Sequence, residues 1–282
     1  MEKRPWGNNA LRRLGKCLRD GADVPSEVPA YNDVWIWYND LAAYVQMRIA
    51  QMDWSALLGE RLPQITSRAK TIGTLAEKLN RSPGLQLAAI QDIAGVRFEA
   101  EMTTTEQDAV AQAIAQMFDQ DVEDAIKDYR EAHHSGYRAV HVWLRIPELE
   151  GRIEVQVRTH LQGQWANTYE EVADHYGRKI RYGDLPTDEF ERNLVLGLQG
   201  LSYTNINELE KYQNELAELE LELNSIESET LTTGGENAAE LLIALADMQS
   251  RRQRMLSVFK DQEQIIMDSL LVLEETFRER RS

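Results

Sequence analysis

Glu154, Gln156 and Arg158 stand two residues apart in the run RIEVQVRT, and Ile153, Val155 and Val157 fill the alternate positions. Period-two alternation with β-branched residues predicts a half-buried strand. Its polar side carries a carboxylate, an amide and a guanidinium. Together these can hold a cation or accept a proton, donate to an oxyanion and grip a phosphate. The stretch GYRAVHVWLRIP repeats the design, with Val140, Val142, Leu144 and Ile146 on one side and Tyr137, Ala139, His141, Trp143 and Arg145 on the other. Pairing the two stretches through a turn at ELEG, around Gly151, sets Tyr137 and His141 on the same open face as Glu154, Gln156 and Arg158. Such a face offers a carboxylate for a metal or as a base, donors for phosphate and an aromatic ring for a nucleobase.

A second group lies upstream. TSRAKTIGTLAEKL supplies Arg68, Lys70 and Lys78, with Thr71 near a helix start, where an anion is favoured. IQDIAGVR supplies Asp92 and Arg97 around Ala94 and Gly95, small residues that let a ligand come close to the backbone. Strict alternation puts Asp92 and Arg97 on opposite faces. For both to serve one site, Asp92 must sit at the strand edge or Gly95 must mark a bulge.

The elements that must position these residues fall into three regions. Residues 1–62 read as helical, with Leu11, Leu14 and Leu18 at helical spacing and Arg12, Arg13, Lys16 and Arg19 between them. A second helix is expected after Asn32 or Asp33 as N-cap, with Trp35, Trp37, Tyr38, Leu41 and Val45 as core. Residues 63–184 interleave strands (DIAGVRFEA, YRAVHVWLRIP, RIEVQVRT) with helices (TIGTLAEKL, an Ala-rich helix capped at Thr105, and HLQGQWANTYEEVADHYG). That interleaving predicts a sheet with one face covered by helices and the other open. Residues 185–282 read as two long Leu- and Glu-rich helices joined at Gly234–Gly235, an antiparallel hairpin suited to interaction or regulation.

Composition narrows the function classes. The net charge is −16, and residues 186–282 alone hold 20 Asp/Glu against 9 Lys/Arg, while residues 1–30 hold 6 Lys/Arg against 4 Asp/Glu. Nucleic-acid binding over the whole surface is disfavoured by that balance, which leaves room for a local basic patch. Cys17 is the only cysteine, so there is no intramolecular disulfide or cysteine-rich zinc site, and a reducing cytoplasm is expected. No secretory signal and no membrane-spanning run is expected either.

Taken singly, each polar residue above suits an ordinary surface or strand position; their order along the chain is distinctive. The basic pair, DIAGVR, GYRAVH and EVQVRT followed by a Trp-Ala helix resemble the synthetase domain of the RelA/SpoT family of alarmone pyrophosphokinases, from about Arg68 to Tyr182. The resemblance implies an α+β, nucleotidyltransferase-like mixed β-sheet flanked by helices, here with a helical N-terminal region and a long C-terminal helical hairpin. It implies transfer of the β,γ-pyrophosphate of ATP to the 3′-hydroxyl of a guanosine nucleotide, with Mg²⁺ as cofactor. By position, Arg68 and Lys70 match the pair that holds the adenine and phosphates of ATP, and Lys78 a further phosphate contact. Asp92 matches the Mg²⁺ ligand. Glu154 matches the carboxylate that serves the metal and activates the acceptor hydroxyl. Tyr137 matches the aromatic that stacks on the acceptor's base, and Arg97, His141, Gln156 and Arg158 shape the pocket and hold phosphates.

The run REAHHSGYRAVH departs from the Lys and Asn that small alarmone synthetases usually carry before Gly-Tyr, placing His133, His134 and Ser135 there. It resembles the toxic branch of these enzymes from actinobacteria and phages. That branch implies the 3′-CCA end of tRNA as a second candidate acceptor, read by Arg12, Arg13, Lys16 and Arg19 or by Arg178, Lys179 and Arg181, and a neutralising antitoxin as partner. A third reading is a catalytically silent nucleotide-binding interaction protein built around the acidic hairpin. A homo-oligomer remains an open expectation.

Overall fold

Strands β1 (Gln64–Ala69), β2 (Ala94–Ala100), β3 (Ile126–Asp128), β4 (Val140–Ile146) and β5 (Gly151–Thr159) form one mixed sheet in the order β1-β2-β5-β4-β3. The computed structural model describes residues 1–131, 135–232 and 236–279. β1 pairs antiparallel with β2, and β4 antiparallel with both β3 and β5. The alternation in β2, β4 and β5 does its expected work. Val96, Phe98, Val140, Val142, Leu144, Ile153, Val155 and Val157 are all fully buried. Helix α1 (Asn8–Asp20) buries Leu11 and Leu14, and α2 (Tyr31–Ala50) lies across β1 and β2. A single turn, α3 (Ser55–Leu58), follows Trp54, whose ring meets Phe98 edge-on at 4.9 Å. Helix α4 (Ile72–Arg81) joins β1 to the segment leading into β2. Beyond β2 come α5 (Thr104–Met117) and the short α6 (Val122–Ala125). From α5, buried Gln107 donates its amide to the Val157 carbonyl at 2.8 Å and so ties that helix to β5.

The chain divides into two compact units. The first comprises Met1–Glu101, Glu106–Tyr129 and Ala139–Arg158, and the second Met102–Thr105, Arg130–Arg138 and Thr159–Ser282. The second unit is built on α7 (His160–Tyr176), α8 (Glu189–Gly200), a π-helical stretch over Leu201–Ile206, α9 (Asn207–Thr232) and α10 (Glu236–Glu279). Trp165 and Tyr169 of α7 stack at 4.7 Å within an apolar cluster that includes Leu198, Ile206, Phe259, Leu270 and Phe277. Helices α9 and α10 run antiparallel, pinned by Arg252 on Glu220 at 2.6 Å and Gln249 on Glu227 at 3.1 Å. The expected junction at Gly234–Gly235 lies outside the described residues, as do His133 and His134.

Several local expectations are corrected. The second helix begins at Tyr31 on Ala30, with no side-chain cap at Asn32 or Asp33, and Trp35 is exposed while Trp37, Tyr38, Leu41 and Val45 are buried. The Ala-rich helix starts at Thr104, not after a Thr105 cap. Between β4 and β5 the turn is a 3-10 turn over Pro147–Leu149, and its left-handed residue is Glu150, at φ 51°. Gly151 instead opens β5, where space is the constraint. A Cβ there would lie 2.8 Å from Leu41 Cδ2 and 3.1 Å from the Trp37 ring.

Candidate active site

The β4–β5 register sets His141 opposite Gln156 and Trp143 opposite Glu154. Residues paired across antiparallel strands share a face, so the polar rows of the two strands meet. Glu154 Oε2 accepts from Trp143 Nε1 at 3.2 Å and lies 3.1 Å from His141 Nδ1. Its Oε1 accepts from Gln156 Nε2 at 2.9 Å. Gln156 Oε1 in turn accepts from Arg158 Nη2 at 2.6 Å, and Arg158 Nη1 stands 3.4 Å from Glu99 Oε1 on β2. The result is a directed row in which each donor points toward Glu154. Burial pushes the Glu154 carboxyl up. The hydrogen bond and charge of His141, the hydrogen bond of Gln156 and the charge of Lys78 outweigh it and hold the group at about 2. Glu154 is therefore a fixed anion at neutral pH.

The second cluster gathers around Asp92. Lys78 Nζ lies 2.6 Å from Oδ1 and Lys70 Nζ 3.1 Å from Oδ2. Lys70 follows β1 directly, held by its own N–H on the Ile93 carbonyl at 2.8 Å and by Tyr31, whose hydroxyl donates to its carbonyl at 3.1 Å. Thr71 caps α4 with its side-chain oxygen on the Thr74 N–H, which points Lys78 back toward the start of β2. Asp92 sits just before β2 begins at Ala94, so the strand-edge alternative is the one realised and Gly95 is no bulge. On β2, Gly95, Arg97 and Glu99 alternate with buried neighbours. Arg68 pairs across from Gly95, and Thr66 from Arg97. Because Glu99 reaches Arg158, this row shares the face of Glu154. A Cβ on Gly95 would lie 3.2 Å from the Glu154 carbonyl, so the missing side chain lets β2 sit close to β5.

Similarity to known proteins agrees with this geometry. Residues 67–179 match a region found in RelA / SpoT proteins. That stretch of the chain is similar to the RelA/SpoT family. Uncharacterized proteins of Mycobacterium bovis and Mycobacterium tuberculosis are 55% identical over 182 residues, a match covering 64% of this chain and 64% of each of them. The chain thus spans a little under two thirds of the length of these relatives. The small alarmone synthetase 1 from Bacillus subtilis has the same fold, with a TM-score of 0.52 at 19% identity, over 68% of this chain and 98% of that one.

Within the first unit, the structure brings Arg68, Lys70, Lys78, Asp92, Arg97, His141, Glu154, Gln156 and Arg158 onto one sheet face and its adjoining loops. Tyr137 departs from the expectation. It precedes β4, which starts only at Val140, and it belongs to the second unit. Strand alternation therefore does not govern its direction. Its neighbours are firmly anchored. The Gly136 N–H donates to the Tyr203 hydroxyl at 2.8 Å, and Arg138 donates to Asn207 Oδ1 at 2.8 Å and pairs with Glu210 Oε2 at 2.7 Å. Glu210 also accepts from Thr159 Oγ1 at 2.6 Å and from Gln162 Nε2 at 2.9 Å, fully buried. Sequence reasoning named neither Glu99 nor Glu210. Extending the DIAGVRFEA alternation by one step would have found Glu99; nothing local marks Glu210 among the many glutamates of α9.

No helix among the described residues is long and apolar enough to cross a membrane.

Proposed function

We propose that the RelA/SpoT region transfers the β,γ-pyrophosphate of ATP to the 3′-hydroxyl of a guanosine nucleotide. The observation that carries this reading is the buried Glu154 carboxylate, gripped by His141, Trp143 and Gln156 on a sheet face that also carries Arg97 and Arg158, with Lys70, Lys78 and Asp92 at its edge. Phosphoryl-type transfer needs positioning and charge neutralisation more than covalent help from the protein. Arg68, Lys70, Lys78, Arg97 and Arg158 supply cationic donors for a triphosphate. Lys70 and Lys78 now hold Asp92 and would exchange its oxygens for phosphate oxygens when ATP enters. Gln156 keeps Glu154 aimed, and His141 fixes it from the neighbouring strand. With so low a pKa, Glu154 is a weak proton acceptor. Its work is to accept a hydrogen bond from the acceptor hydroxyl and orient it; as the new O–P bond to the β-phosphorus forms, the bond to the α-phosphate breaks, AMP leaves, and the hydroxyl proton passes to solvent.

The donor chemistry suits Mg²⁺, which prefers oxygen and is commonly held by one or two carboxylates together with substrate phosphates. Asp92, whose oxygens face Lys70 and Lys78, and Glu154, held as a carboxylate by Gln156 and Trp143, would offer oxygens to a cation that arrives with the nucleotide. Bound there, the ion would neutralise charge on the transferred group.

The test offers ATP labelled on its terminal phosphate, with Mg²⁺, to GDP, GTP, adenine nucleotides and deacylated tRNA in parallel. Label on GDP or GTP is expected. Label on tRNA alone would replace the guanosine nucleotide by the tRNA 3′-end as acceptor, and label on none, with ATP still bound, would leave a nucleotide-binding interaction protein.

A further inference from the structure

Away from the sheet face, a cavity of about 330 Å³ opens between α1 and the loop that follows α4, lined by Arg12, Arg13, Lys16 and Arg19 on one side and by Gly84 and Gln86 among others on the other. We propose that this cavity is a second anion site, one that takes a small oligophosphate. Four cationic side chains face it and none of its lining residues is acidic. The contrast with a chain of net charge −16 is sharp.

The four cations are not equivalent. Arg19 is committed to structure, donating from Nε to the Leu79 carbonyl at 3.1 Å and from Nη2 to the Leu85 carbonyl at 2.8 Å, so it staples helix to loop. Arg13 stands 3.8 Å from Glu27, a loose exposed pair. Arg12 and Lys16 are exposed and have no carboxylate partner among the described residues. One turn of helix apart, they are separated by about 6 Å along the axis, a spacing that neighbouring phosphates of one oligophosphate can bridge. Gly15 forms the floor. A Cβ there would lie 2.9 Å from Leu87 Cβ, so only glycine lets the helix come this close to the loop. The volume lies at the small end of ligand pockets, which favours a compact anion over a long polymer.

The placement also matters. The loop belongs to the segment that begins at Lys78 and ends at Asp92, the pair joined at 2.6 Å in the candidate active site. The cavity's own loop residues, Pro83 to Leu87, are distinct from that pair, so the two sites can be read separately.

The experiment titrates inorganic tripolyphosphate into the full chain at low ionic strength by calorimetry. Two classes of binding are expected. R12Q/K16Q should weaken one class at least tenfold and spare the other, and Lys78→Gln should do the reverse. Both altered positions on α1 are solvent-exposed, so the fold persists, and Lys16→Glu repeats the loss by a different route. A single class abolished by Lys78→Gln, or an R12Q/K16Q variant that binds as wild type does, would overturn the site. So would tight binding of a single-stranded RNA oligonucleotide at this face without any binding of tripolyphosphate. Because the readout is binding, its failure is separable from failure of the transfer reaction.

Discussion

Replacing Glu154 by Gln conserves volume and removes one charge, yet the row it belongs to cannot accommodate it. Arg158 Nη2 donates to Gln156 Oε1 at 2.6 Å, which fixes the amide so that its Nε2 faces Glu154 at 2.9 Å. Trp143 Nε1, which can only donate, faces the other oxygen at 3.2 Å. An amide at position 154 has one oxygen for two sites that both need an acceptor. Whichever way it turns, an NH₂ meets a donor, and flipping Gln156 only moves the conflict to Arg158. A fully buried donor left without an acceptor costs about 1–3 kcal/mol, and the half-buried Trp143 and Gln156 donors set the expected loss in Glu154→Gln at the lower end, about 1 kcal/mol. The exchanged pair E154Q/Q156E is the sharper case. There the carboxylate at position 156 accepts both from Arg158 and from the amide at position 154, whose own oxygen turns to Trp143 and His141. Most of the lost stability should return, while transfer to the acceptor stays abolished because the fixed anion has moved two residues along the strand. Urea unfolding followed by tryptophan fluorescence and far-UV circular dichroism, beside the labelled-ATP assay, separates the two effects. An E154Q variant as stable as wild type, or an exchanged pair no better than E154Q, would refute the directed row.

Acid should expose the same carboxylate. Its folded pKa lies at about 2, below the ordinary 4.5, so its stabilising contribution is complete above 4.5 and fades as pH falls toward 2. A shift of this size corresponds to about 3 kcal/mol, and the stability difference between wild type and Glu154→Gln should shrink across that window in urea titrations. In the second unit, Glu210→Ala leaves the buried Arg138 guanidinium without its carboxylate. A loss of about 3–5 kcal/mol is expected in thermal or urea unfolding, and a loss under about 1 kcal/mol would mean that the pair is not buried as described. Gly136 has φ 82°, and a Cβ there would lie 2.6 Å from the Trp165 ring. Gly136→Ala should therefore destabilise by about 2–4 kcal/mol, strain and overpacking together, and shift the Trp165 emission. Wild-type stability in that variant would contradict the close approach.

Alternation made the sheet face legible because it is a property of single strands. Val140, Val142 and Leu144 against His141 and Trp143, and Ile153, Val155 and Val157 against Glu154 and Gln156, need no knowledge of neighbours to be sorted. Cross-strand pairing then placed His141 beside Glu154, as the hairpin reading required. What alternation cannot supply is the direction of the hydrogen bonds along the row. That direction is imposed by Arg158 at one end and Trp143 at the other, and Arg158 meets Glu99, 59 residues away in sequence, only because β2 lies next to β5 in the sheet. The same limit explains Tyr137. The sequence GYRAVH continues the alternating pattern seamlessly, but β4 begins at Val140, and Gly136 and Arg138 before it answer to Tyr203, Asn207 and Glu210 on elements far downstream. An apolar–polar period reports which side of a strand a residue occupies and is silent on where the strand stops. At the ends of strands, tertiary hydrogen bonds decide. Asp92, which alternation left awkward, and Tyr137, which it assigned to the face of His141, stand just outside β2 and β4.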